Sequence, residues 1–171
     1  MTLQGGIFNF VSFDNAWNSL VEMDSYGHDV EAGWLLCEAA RVLEDRQLMD
    51  RANRLALDVT DACLVEGLSD KGYMMYEKKG GRTTGHASWW GQIETMIACV
   101  NAWQISGNDV YLQSADTVWT FVKDCMIDRE YGEWYSDCFD GEPKKDTPKV
   151  SMWRCPYHTV RLGVEIHNRL K

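Results

Sequence analysis

His158, one of only four histidines in the chain, stands where the last predicted helix begins. It follows the segment Trp153-Arg154-Cys155-Pro156-Tyr157. Pro156 suits a first helical position, because its ring fixes φ and it has no N–H to lose. The imidazole is therefore predicted at the mouth of a helix, one turn from an indole. Because imidazole exchanges protons near neutral pH, His158 is a candidate acid or base.

Tryptophan is the second informative residue type. The chain has eight tryptophans, and many are expected in the core because large aromatic side chains usually pack there. Three of them, however, stand where loops meet helices: Trp89, Trp90 and Trp153. Flat apolar rings beside carboxylates and histidines suit a pyranose, which has one apolar face and a rim of hydroxyl groups. The pattern favours a saccharide ligand.

Length and composition exclude several classes of protein. With 171 residues and 45% hydrophobic content, residues 1–171 are predicted to form one globular domain. The net charge of −9 argues against nucleic acid as a partner, because phosphates require a basic surface. No apolar stretch is long enough for a membrane span, and residues 1–10 lack the pattern of a signal peptide. A cytoplasmic location is the expectation.

The six cysteines are spread singly, at positions 37, 63, 99, 125, 138 and 155. They are predicted to be reduced and packed rather than paired in a disulfide framework. Cys155 and His158 could begin a zinc site, but a second pair of ligands at zinc-finger spacing is missing. The sequence therefore predicts no metal.

An internal repeat organises the chain. Residues 72–82 form a predicted strand pair with a glycine turn and lead into a helix at Trp89, and residues 132–142 lead in the same way into the last helix. An earlier copy is predicted from a hairpin at residues 8–13. The repeating unit is hairpin, helix, helix.

The two helices of a unit differ in character. Residues 30–42 and 89–105 are apolar on nearly every side, which predicts buried inner helices. Residues 50–68 and 110–127 carry one apolar stripe each and are predicted to be outer helices. Three residues stand at the inferred N-cap positions of the inner helices: Asp29, Ser88 and Cys155. An inner ring of helices, an outer ring behind it and short β-hairpins at one end describe an all-α, α/α toroid. Three inner and two outer helices amount to about half of a ring.

Three segments then carry a resemblance to a known family. Residues 25–36, 89–94 and 153–158 resemble, in order and spacing, the C-terminal half of the cellobiose 2-epimerases, which belong to the N-acylglucosamine 2-epimerase superfamily. The resemblance implies an (α/α)6 barrel of which this chain is the C-terminal half. It extends from about Val11 to the end of the chain.

The resemblance also implies a reaction and its site. The family inverts C2 of the reducing-end glucose of a β-1,4-linked disaccharide, giving the mannose epimer through an enediolate, with no metal or organic cofactor. The matching catalytic positions are His28 and His158, one on each face of the reacting carbon. The matching substrate-binding positions are Glu31, Trp90, Glu94 and Trp153. His86 and His167 match no motif and are interpreted as hairpin and surface residues.

The family's other half supplies a further histidine, an arginine and a tyrosine, and none of these has a counterpart here. Because stabilisation of developing charge is usually the largest catalytic contribution, the chain is expected to be slow or inactive alone. Inner helices that only two outer helices cover should also expose an apolar face. We therefore expect self-association or a complementary N-terminal half.

Two other functions remain open at this stage. One is an aldose–ketose isomerase of the same superfamily that acts on mannose and moves the proton from C2 to C1. The other is a non-catalytic half barrel that binds saccharide or assembles with other chains. A glycoside hydrolase would need a pair of carboxylates flanking the glycosidic bond, whereas the best-placed groups here are histidines.

Overall fold

The computed structural model describes residues 23–171. Within this range the helices are α1 (Tyr26–Val42), α2 (Arg46–Gly67), α3 (Trp89–Ser106), α4 (Val110–Phe121) and α5 (Tyr157–Arg169). The short strands are β1 (Met23–Asp24), β2 (Glu77–Lys79), β3 (Arg82–Thr84), β4 (Ala87–Ser88), β5 (Asp137–Phe139) and β6 (Glu142–Pro143).

Helix α3 is the centre of the fold. It packs against α1, α2, α4 and α5, and its residues from Gly91 to Ala102 are all buried. The sequence explains this position, since Glu94 is the one charged residue in the helix. The helix begins after Ser88, as predicted, and ends at Gly107, whose φ of 71° is a left-handed conformation that glycine adopts readily.

The helices form a partial α/α toroid, as the sequence predicts. Helices α1, α3 and α5 are the inner helices, and α2 and α4 pack behind them. The second outer helix continues beyond Phe121 as a π-helical turn, Val122–Met126, whose last residue is buried. The predicted outer helix at residues 110–127 is thus confirmed, with a change of helix type in its last turn.

The β-hairpins lie at the end of the toroid where the inner helices begin. Strands β1, β2 and β3 form one antiparallel sheet, and β4, β5 and β6 form another. In the second sheet Ala87 pairs with Cys138, so the segment that leads into α3 is attached to the following hairpin. Both predicted hairpins of this part of the chain are confirmed. The hairpin predicted at residues 8–13 lies outside the described residues.

Two predictions for α1 were partly wrong: the residue at which it begins, and its burial on nearly every side. The helix begins at Tyr26 after Ser25, so Asp29 lies inside its first turn and is not the N-cap. The extra turn forms because Gly27 lets the backbone approach α3, where a Cβ would lie 2.6 Å from the ring of Trp90. The helix is also not buried all round, since Leu35 and Leu36 are 40% and 42% exposed.

Helix α5 begins one residue later than its predicted cap implied. Pro156 occupies the N-cap position, and Cys155 lies before it in an exposed turn. The proline therefore stands just outside the first turn rather than in it, which its fixed φ of −68° also allows. Tyr157, Val160 and Val164 are more than half exposed, so the structure exposes apolar side chains on α5 as well as on α1.

No helix within residues 23–171 is long and apolar enough to cross a membrane. All six cysteines are free thiols, and four of them are buried: Cys37, Cys63, Cys99 and Cys138. The prediction of reduced, packed cysteines is confirmed for these four.

Asp29 makes the stability of the fold depend on pH. Its carboxyl is 1% exposed and one of its oxygens, Oδ2, has no hydrogen-bond partner among the described residues. Burial, and then the nearby charge of Asp24, raise the pKa of Asp29 from 3.8 to about 8. Between these two pH values the unfolded chain has lost the proton while the folded chain keeps it, so stability falls as pH rises.

We predict that Asp29→Asn stabilises the protein increasingly from pH 4 to pH 8, by about 5 kcal/mol at the upper end. The asparagine side chain is neutral at every pH, so folding of the variant no longer requires the uptake of a proton at this position. Urea unfolding at several pH values measures the difference. Asp50→Asn, on the exposed surface of α2, is the control and should change stability little. A gain that does not grow with pH would contradict the assignment.

Candidate active site

A cleft of about 440 Å³ opens where the three inner helices begin. His28 comes from the first turn of α1, Trp90 from the first turn of α3, and His158 from the first turn of α5. The complete lining is His28, Glu31, Tyr76, Trp89, Trp90, Ser136, Pro148, Ser151, Trp153, Arg154 and His158. Five of the six predicted site residues therefore line one cleft, and the sixth, Glu94, is fully buried beneath it.

Glu94 orients His158. The carboxylate oxygen Oε1 of Glu94 lies 2.6 Å from Nδ1 of His158, and its Oε2 accepts a hydrogen bond of 3.0 Å from the Trp34 indole. A carboxylate can only accept, so Nδ1 of His158 carries the proton and donates it. In the neutral ring Nε2 is then the basic nitrogen.

Arg161 also contacts Glu94 and His158, although it was not among the residues predicted from the sequence. Its Nη2 lies 2.5 Å from Oε1 of both Glu31 and Glu94, and 3.2 Å from Nδ1 of His158. Burial opposes the charge on Arg161, but the hydrogen bonds to the two glutamates outweigh it and raise the pKa of the guanidinium. The spacing could have predicted Arg161, because residues three apart on a helix share a face and Arg161 follows His158 by three positions.

His28 is held from the other side of the cleft. Its Nδ1 lies 2.8 Å from Oγ of Ser25, the N-cap residue of the same helix. Burial lowers the pKa of His28. The nearby charge of Glu31 raises this pKa, and that of His158 lowers it further, but burial has the largest effect. The imidazole of His28 is therefore neutral at neutral pH, which is the form that a general base requires.

Both imidazoles lie close to the ring of Trp90. The centroid of its ring is 4.4 Å from that of His28 and 6.1 Å from that of His158. Trp89, by contrast, is buried and meets His158 with its edge at 5.1 Å, so it supports the ring from behind. The two histidines, separated by 130 positions in sequence, thus lie near the same half-buried indole.

Trp153 and Arg154 form the outer wall of the cleft. Trp153 is 87% exposed on a turn that Ser151 and Arg154 close by pairing their backbones. Arg154 is buried, with its guanidinium 4.8 Å from the centre of the Trp89 ring and hydrogen-bonded to Ser136 Oγ at 2.6 Å. Burial lowers the pKa of Arg154. The sequence analysis did not single out Arg154, whose contacts come from distant loops.

The two remaining histidines lie elsewhere, as predicted. His86 stacks between Tyr76 and Phe139, with ring centroids at 4.6 and 5.0 Å, and so ties the two hairpins together. Its Nε2 lies 3.6 Å from a carboxylate oxygen of Asp137. His167 is an exposed residue of α5.

Within residues 23–171 one group of side chains has the spacing of a cation site. Glu31, Glu94 and His158 each offer an atom, and these atoms lie within 4.8 Å of one another. The Arg161 guanidinium already stands between them, so a cation of the protein's own fills this position.

Comparison with known proteins identifies the family. Residues 10–161 match the N-acylglucosamine 2-epimerase (GlcNAc 2-epimerase) family. The chain belongs to this family. It is 40% identical over 159 residues to a cellobiose 2-epimerase of Bacteroides fragilis, and 37% identical over 161 residues to one of Ruminococcus albus. These alignments cover 90% and 93% of this chain.

The solved structures agree with this assignment. A sugar epimerase from a ruminal bacterium superposes with a TM-score of 0.92 at 35% identity, covering 98% of this chain and 43% of that one. Similarity to a D-mannose isomerase of Marinomonas mediterranea is weaker, at 26% identity over 99 residues. The chain spans about 40% of the length of the curated cellobiose 2-epimerases that it matches.

We predict that Glu94→Gln destabilises the protein by about 3 kcal/mol, because it leaves the buried Arg161 without one of its two carboxylates. Urea unfolding at pH 7 measures the loss. Glu66→Gln is the matched control, since it removes a carboxylate from an exposed ion pair with Lys78, and should have little effect. Equal effects of the two changes would show that the buried cluster does not stabilise the fold.

Proposed function

We propose that this chain provides the two proton-transfer groups of a carbohydrate 2-epimerase, and that its substrate is a β-1,4-linked disaccharide such as cellobiose. The observation that carries the proposal is that His28 and His158 line one cleft and that both rings lie against Trp90. The relatives of 31 to 40% identity that bear the name cellobiose 2-epimerase support the choice of substrate.

The chemistry needs one proton to leave C2 and another to arrive from the opposite face. In the open-chain aldehyde the C2–H bond is acidified by the neighbouring carbonyl. In one direction neutral His28 takes the proton, which leaves an enediolate, and protonated His158 returns a proton to the other face of C2. Glu94 accepts the hydrogen bond from Nδ1 of His158, which leaves Nε2 as the nitrogen that exchanges the proton with the sugar. No oxidation state changes, so the step requires no redox cofactor.

The binding residues take different parts in this proposal. Trp90 offers a half-buried ring as a platform for the sugar, and Trp153 offers an exposed ring at the outer edge. Glu31 lines the cleft and is placed to accept from a sugar hydroxyl. Glu94 is fully buried and hydrogen-bonded to His158, Arg161 and Trp34, so we assign it to orienting His158 rather than to contacting substrate.

We expect 2-epimerisation of cellobiose to be weak with this chain alone and stronger when a separately expressed N-terminal portion of the Bacteroides fragilis relative is added. Run in deuterated water, the reaction should give the mannose epimer labelled at C2. His28→Ala and His158→Ala should each lower the rate by about 10²- to 10⁴-fold.

Several results would contradict this proposal. Full activity of either histidine variant would refute its proton-transfer role, with Asp50→Ala on the exposed surface of α2 as the control. A ketose labelled at C1 would indicate the mannose-type isomerase, which the weaker similarity makes less favoured. Quenching of tryptophan fluorescence by cellobiose without turnover would indicate a non-catalytic saccharide-binding module.

We further propose that the chain functions in association with another polypeptide, either a second copy of itself or a complementary N-terminal half. Leu35 and Leu36 on α1, and Val160 and Val164 on α5, are 40 to 59% exposed. A second groove of about 630 Å³, lined mainly by apolar side chains of α3, α4 and α5, adds to this surface. Exposed apolar areas of this kind mark interfaces.

Sedimentation velocity over a range of concentrations tests this assembly. We expect dimers or larger species, and Leu36→Glu together with Val164→Glu should shift them toward the monomer by placing charge in the interface. The same two substitutions should reduce binding of a dye that reports apolar surface. A monomer at high concentration that binds no such dye would contradict the proposal.

A further inference from the structure

We infer that Arg161 is the internal cation of the cleft, and that its guanidinium occupies a latent divalent-metal site formed by Glu31, Glu94 and His158. The side chain would then hold His158 in position by supplying the charge that a metal ion supplies in other proteins. The benefit for catalysis rests on the proposed function, whereas the occupancy of the site is tested without it.

The geometry of one atom carries the inference. Nη2 of Arg161 is 2.5 Å from Oε1 of Glu31 and 2.5 Å from Oε1 of Glu94. It also lies 3.2 Å from Nδ1 of His158. These are the same three side chains whose donor atoms come within 4.8 Å of one another. A single nitrogen therefore stands at the centre of the group.

The charges explain why a cation must stand there. Glu94 is fully buried and the Glu31 side chain is 18% exposed, so two carboxylates share a site with little water. Uncompensated charge in such a place is strongly unfavourable. Arg161 neutralises one of the two charges, and the His158 Nδ1–H donates to the same oxygen of Glu94 that Arg161 contacts.

The surroundings of Arg161 fix the guanidinium in place. It lies over the ring of Tyr157, 4.3 Å from the centroid, and 5.2 Å from the centre of the Trp34 ring. A second nitrogen, Nη1, donates to the Tyr157 hydroxyl, and Nε is buried with no hydrogen-bond partner among the described residues. Planar stacking of this kind is a property of arginine that lysine lacks.

Removal of the guanidinium should expose the latent site. Two carboxylate oxygens and Nδ1 of His158 are a set of ligands that Zn²⁺ accepts once the imidazole proton has moved from Nδ1 to Nε2, with water completing the coordination. The wild-type chain should bind Zn²⁺ weakly at this place, because the arginine already occupies it and repels a second cation. Arg161→Ala should therefore gain a metal site without gaining any new ligand.

Titration of the full chain with Zn²⁺ by calorimetry tests the inference. We expect Arg161→Ala to bind one Zn²⁺ about tenfold or more tightly than the wild type. The double variant Arg161→Ala with His158→Ala should lose that gain. Arg41→Ala removes a guanidinium from an exposed pair with Glu38 and makes the same change of net charge, so it serves as the matched control. Arg161→Lys, which keeps a cation, should stay at the wild-type affinity.

The outcomes that overturn the inference do not depend on enzymatic activity. The inference is wrong if Arg161→Ala binds Zn²⁺ no more tightly than Arg41→Ala. It is also wrong if the double variant keeps the gain in affinity, or if Arg161→Lys binds Zn²⁺ as tightly as Arg161→Ala. If Arg161→Ala fails to fold, Arg161→Met retains apolar contact with Tyr157 and Trp34. Zn²⁺ should then restore folding of Arg161→Ala and raise the melting temperature of Arg161→Met, and failure of both contradicts the inference.

Discussion

The carboxylate of Glu94 is the interaction on which the rest of the structure depends. It is fully buried in the second turn of α3, and its donors come from both neighbouring inner helices: Trp34 from α1, and His158 and Arg161 from α5. A buried carboxylate is stable only when its hydrogen bonds are complete. The helices must therefore sit where their donors reach it, and one residue fixes both the packing of the inner ring and the orientation of the imidazole.

A series of aromatic ring contacts connects the inner helices to the hairpins. Trp90 lies close to both imidazoles, Tyr76 meets the Trp90 ring edge-on at 6.2 Å, and His86 stacks on Tyr76. Phe139 of the second hairpin closes the stack on the far side of His86. Such ring pairs contribute beyond the area that they bury. The loops that form the wall of the cleft are thereby joined to the helices that carry its polar groups.

The sequence predicted the architecture well because hydrophobic periodicity reports burial directly. The long runs of α3 and the stripe of α2 reappear as a central and an outer helix. The helix starts were harder, since the placement of Asp29 inside α1 depends on the approach of Gly27 to Trp90, which no local pattern encodes. Arg161 was missed for a related reason: an arginine in a helix usually faces solvent, and its two carboxylate partners lie 130 and 67 positions away.

The convergence of three helix beginnings on one cleft has an electrostatic consequence. The first backbone N–H groups of a helix have no partner within it, and the peptide dipoles add to a partial positive charge at that end. Helices α1, α3 and α5 all direct this end toward the same space. In a chain with a net charge of −9, these three helix ends thus add a local positive field around the cleft. The oxyanion that forms when a sugar loses its C2 proton would arise within that field.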